Sequence, residues 1–163
     1  MKKSVIIAIV IAVILIVALV GVVIFINNNA KKQSTVTADE FKSFMEEKGY
    51  IVMDSTSQFA DYENIVKVNI AANEDYSCKI EFYELSDDDY AKSFYNSNKY
   101  VFQTAKTDSD EETNVDLENS SKYIVSSDSR YKVVSRINNT IIYLNVDSSN
   151  KETVENILNE LGY

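Results

Sequence analysis

Arg130-Tyr131-Lys132-Val133-Val134-Ser135-Arg136-Ile137, then Asn138-Asn139, then Thr140-Ile141-Ile142-Tyr143-Leu144-Asn145-Val146-Asp147 reads as a β-hairpin. Two runs rich in β-branched and aromatic residues flank a two-residue turn, and Asn tolerates the positive φ that such a turn needs. The turn sets the register. Val133 and Ser135 share one side with Leu144 and Ile142, and Val134 and Arg136 share the other with Tyr143 and Ile141. The first side reads as core. Val134, Arg136, Ile141 and Tyr143 then form an outer face on which an Arg and a Tyr stand among aliphatic groups, and both residue types anchor interfaces. Tyr83 lies in the same off-core phase of its own strand. The four hairpin residues are the candidate interaction face. The competing reading has this face covered within the fold, by the first helix or by the Ser55 to Glu63 segment.

Working outward, strands are expected at Tyr50 to Asp54, Ile65 to Ala72, Tyr76 to Leu85 and Lys122 to Ser126, with Asn73-Glu74-Asp75 as a turn. Three helices alternate with them. Thr37-Ala38-Asp39-Glu40 is a capping box, followed by Phe41, Phe44 and Met45 on one face and by Gly49 as a left-handed cap. Ser149-Asn150-Lys151-Glu152 repeats the box before Val154, Ile157, Leu158 and Leu161, and Gly162 closes it. Between them Ser86-Asp87-Asp88-Asp89 opens a helix whose face is Ala91, Phe94, Tyr95, Asn98, Val101, Phe102 and Ala105. Three acids at a helix start complement its dipole, a simpler account than a metal or phosphate cluster.

These elements repeat a unit of short strand, hairpin and helix, once over Tyr50 to Ala105 and once over Lys122 to Leu161. The expected fold is α+β, in the order α-β-β-β-α-β-β-β-α. It has an antiparallel sheet of about six strands and three helices packed on one face. Thr107 to Ser121 is left as an acidic flexible loop. It carries Asp108, Asp110, Glu111, Glu112, Asp116 and Glu118 but has neither a central Gly nor EF-hand spacing for calcium.

Ser4 to Ile26 is an apolar run of 23 residues without a charge. As a helix it would reach roughly 35 Å, enough to cross a hydrocarbon core of about 30 Å. The candidate cleavage sites are poor: Leu19-Val20-Gly21 has a bulky residue at −3, and Asn28-Asn29-Ala30 a polar one. A lipoprotein leader would need a Cys directly after the run, and the only Cys is Cys78, so that reading fails. Residues 1–3 are expected as a cytoplasmic tail with Lys2 and Lys3, 4–26 as a transmembrane signal anchor, 27–36 as a polar stalk, and 37–163 as an extracytoplasmic domain. The chain is therefore expected in the cell membrane, single-pass, with its N-terminus inside.

The chain holds 16 Lys and Arg against 25 Asp and Glu, and no His. Leaving out Lys2 and Lys3, 14 basic residues face all 25 acids beyond the run, a formal charge of −11. Nucleic acid is disfavoured as a partner. Without His, Ser-His-Asp triads, Cys-His dyads and His-ligated zinc cannot be built within one chain. Cys78 reads as a small buried hydrophobe. No catalytic residue, metal ligand or cofactor is assigned. The expected partners are the membrane, through residues 4–26, and another membrane or cell-surface protein. The expected function is a non-enzymatic, tethered interaction or sensing domain; the alternative is a small-ligand or lipid-binding domain with a pocket between sheet and helices. In layout and composition the chain resembles the small anchored proteins of unknown role on Gram-positive cell surfaces.

Overall fold

The computed structural model describes residues 35–163. The expected anchor over 4–26, the tail over 1–3 and nearly all of the stalk lie outside the described residues. Among the described residues no helix is long and apolar enough to cross a membrane.

Helix α1 (Ala38–Glu47) opens on the expected capping box: the Glu40 N–H donates to Thr37 Oγ1 at 3.2 Å, and the Thr37 N–H donates to Glu40 Oε2 at 2.8 Å. Phe41 and Met45 turn inward one helical turn apart. The helix ends in a Schellman motif, with the Gly49 N–H on the Glu46 carbonyl and the Tyr50 N–H on the Met45 carbonyl. Gly49 has φ +84°, and nothing lies within 4 Å of where a Cβ would stand. Gly49→Ala therefore introduces left-handed strain and no clash. It should lower stability by about 1 kcal/mol in urea melts. A more stable variant would overturn the cap.

The chain continues through β1 (Ile51–Asp54), a 3-10 turn (Thr56–Phe59), β2 (Ile65–Ala72) and β3 (Lys79–Leu85) to helix α2 (Asp88–Thr104). Asp87, not Ser86, caps α2, accepting from the Asp89 and Tyr90 amides. Then come β4 (Glu111–Asp116), β5 (Ser120–Ser126), β6 (Arg130–Ile137), β7 (Thr140–Asp147), a 3-10 turn (Ser148–Asn150) and helix α3 (Lys151–Leu161). The second capping box does not form. The 3-10 turn occupies its place, and Asn150 makes no side-chain cap bond. Gly162 does close α3 in the left-handed region.

All strand pairs are antiparallel, and the sheet has seven strands in the order β1-β2-β3-β7-β6-β5-β4. It is two meanders joined along β3 and β7. The 130–147 hairpin forms in the expected register: Val133 faces Leu144, Ser135 faces Ile142, Val134 faces Tyr143 and Arg136 faces Ile141. Asn138 takes positive φ in the turn.

Two expectations are corrected. The acidic segment Thr107 to Ser121 is not all loop, because Glu111–Asp116 pairs with β5 as an edge strand. The helices are not on one face. Helices α1 and α3 cover one side, packing with Ile80, Phe82, Val133, Ile142 and Leu144; α2 covers the other, with Tyr83, Tyr123, Val134 and Ile141. The central strands require this. Val133 and Val134 are both buried, as are Ile141 and Ile142, so β6 and β7 present apolar side chains to both sides.

Candidate functional site

The four candidate interface residues do lie on one face, but that face is interior. Val134, Arg136 and Ile141 are buried and Tyr143 is half-buried beneath α2. Phe102 of α2 packs on Tyr143 at 5.3 Å between ring centroids, and Phe94 on Tyr83 at 4.7 Å. Phe59 of the Ser55 to Glu63 segment adds an edge contact to Tyr83. The cover is thus mainly the middle helix, neither of whose competitors named above is the main lid. Of the expected α2 face, Ala91, Tyr95 and Phe102 are buried, whereas Val101 is exposed.

Arg136 is 1% exposed and has no carboxylate partner within ion-pair distance among the described residues. Its guanidinium donates to the Asn138 carbonyl at 3.2 Å, and to the Glu118 carbonyl and Ser121 Oγ at 3.3 Å each. Ser121 Oγ in turn donates to Asp116 Oδ1 at 2.6 Å. Burial pushes the guanidinium below its ordinary pKa, and the charges of Asp88 and Asp116 oppose that shift. The arrangement ties the β4–β5 turn to the β6–β7 turn. Asn138 extends the tie: its N–H donates to the Asn119 carbonyl, and its side-chain amide to Thr35 Oγ1 at 2.6 Å. Val36 packs against the α1/α3 core. Thr35 thus lies at the end of the sheet that carries the Asn138-Asn139 turn.

The opposite end presents polar groups. An open cleft of about 590 Å³ lies there, lined among others by Thr107, Ser109, Ser126, Ser127, Arg130 and Lys132. Arg130 is committed to the sheet, donating to Asn145 Oδ1 at 2.9 Å and to Asp147 Oδ1 at 2.6 Å. Lys132 sits over the Phe102 ring at 5.9 Å. These groups can hydrogen-bond a polar partner but present no activated nucleophile. Cys78 is buried, with the Tyr50 hydroxyl 3.8 Å from its sulfur, and burial pushes its thiol pKa up, the wrong direction for a reactive thiolate. Among the described residues no group of three His, Cys, Asp or Glu could hold a metal ion.

Two of the surface apolar residues that sequence reasoning missed are on β1. Ile51 is 46% exposed and Met53 is 45% exposed, at the sheet's free edge. Helix α2 lies over β3, β5, β6 and β7, and β2 meets the 3-10 turn, so this corner of the face keeps no helical cover. The signal was available in Ile51-Val52-Met53, three apolar residues in succession in a strand too short to show alternation. Comparison with protein-family models, curated proteins and solved structures finds no match.

Proposed function

We propose that this chain is a membrane-tethered, extracytoplasmic interaction or sensing domain with no catalytic role. The observation that carries the reading is the uncharged apolar run over 4–26 followed by an acidic domain whose sheet is packed by helices on both faces. Thr35 meets Asn138 at one end of the sheet. Eight-residue strands such as β6 then place the other end roughly 25 Å away. The polar cleft lies at that far end, and β1 leaves Ile51 and Met53 about half exposed. The charge of the domain suits a solvated surface position and repels nucleic acid. The space between sheet and helices is taken up by side chains, with Phe41 stacked on Phe82 at 4.8 Å on one side and Phe102 on Tyr143 on the other. That favours surface contact over a lipid pocket.

The orientation is tested by fusing alkaline phosphatase after Tyr163. The fusion should be active, and protease added to protoplasts should release the domain. An inactive fusion with a protected domain would reverse the orientation.

A further inference from the structure

We propose that the free edge of β1 accepts an extended segment of another protein, apolar at its centre and basic at both ends, as an eighth strand of the sheet. The inference rests on the interaction reading above and names the surface and the chemistry of the partner.

The backbone supplies the first argument. The Ser55 N–H donates to the Val68 carbonyl at 2.9 Å, so the odd-numbered residues of this segment face β2 in the ladder. In an antiparallel pair the alternate residues point the other way. Val52 and Asp54 therefore direct their N–H and C=O groups toward the free edge, where no strand is paired among the described residues. Such a row is a template for strand addition.

The side chains supply the second. Ile51 and Met53 lie beside that row on the face α2 leaves uncovered. An added strand would place alternate side chains against them. At the Ile51 end the 73–78 turn holds Tyr76 63% exposed with φ 59°, a conformation that costs a bulky residue energy. The turn is held by the Cys78 N–H on Asn73 Oδ1 and the Ser77 N–H on Asp75 Oδ1. An aromatic ring is thereby displayed on a fixed turn that follows Ala72, the β2 partner of Ile51.

Charge selects the partner. Among the described residues the cations near β1 are engaged: Lys48 with Glu160, Lys67 with Asp54 and Lys79 with Glu81, each at 2.7 Å. Exposed Glu47 and Glu74 stand at the Ile51 end and exposed Asp61 and Glu63 at the Asp54 end; none has an ion pair among the described residues. Acids at both ends of an apolar edge match Lys or Arg at both ends of the incoming strand. They also disfavour a second copy of this acidic chain. The other edge, β4, offers Glu111, Glu112 and Asp116 and only a half-buried Val115, so an added strand would desolvate carboxylates with little apolar return.

The test uses the full chain in detergent micelles and two fluorescent probes, the peptide Lys-Thr-Val-Thr-Val-Thr-Lys and its twin with Glu in place of Lys. The basic probe should bind and slow hydrogen exchange at the Val52 and Asp54 amides, and its affinity should fall as salt rises. Met53→Lys and Ile51→Lys, both at exposed positions, should each weaken binding at least about tenfold with unchanged melting. The proposal is overturned if neither probe binds, if the acidic twin binds equally, or if protection appears at β4. Self-association through β1 without peptide would overturn the choice of partner. Because the measurement is made in detergent, a reversed membrane orientation would count against the tethered extracytoplasmic reading and leave this result standing on its own.

Discussion

Replacing Arg136 by Ala should lower stability by about 3 kcal/mol or more and the urea midpoint by about 1–3 M. The side chain is fully enclosed and holds carbonyls from two different turns and a hydroxyl at the start of β5. Its loss leaves those acceptors without a donor and opens a cavity beneath α2. Arg136→Lys should be intermediate, because an ammonium keeps the charge but cannot present donors in a planar fork. Hydrogen exchange should show the β4–β5 turn opening first, since Glu118 and Ser121 lose their bonds to the β6–β7 hairpin. An unchanged midpoint would mean that Arg136 stands in solvent and that α2 does not lie over it.

Phe82→Ala should cost about 3–5 kcal/mol. Phe82 lies on β3, the seam between the two meanders, and is fully buried. It stacks on Phe41 of α1 at 4.8 Å and meets Tyr163, beyond α3, edge-on at 6.5 Å. Tyr163 is itself fastened by a hydrogen bond to Thr140. One ring thus joins both helices of that face to the sheet. The measured quantity is the unfolding free energy from urea melts, with Phe59→Ala, on a half-buried residue of the other face, as the smaller comparison. A loss no greater than that of Phe59→Ala would contradict the two-sided core.

Much of the architecture was legible because it rests on local chemistry. The Thr37 box, the Gly49 cap and the Asn138-Asn139 turn are decided by residues within a few positions of one another, and each forms as read. The β4 strand was not legible. Glu111–Asp116 has no apolar alternation, because an edge strand with both faces near solvent needs none; only its pairing with β5 makes it a strand. The candidate face failed for a different reason. Its register was right, and the doublets Val133-Val134 and Ile141-Ile142 already demanded cover on both sides, but α2 reads equally well on either face until the sheet is assembled.

By itself the sequence determined the helices, the central hairpin and its register, and the acidic charge, because periodicity, capping residues and composition act over short range. Only the tertiary structure decided which strands are edges and which face each helix covers. Those depend on contacts between residues far apart in the chain, such as Phe82 with Tyr163 and Arg136 with Glu118. The same long-range packing turned an Arg expected at the surface into a buried tie, and left Ile51 and Met53 outside.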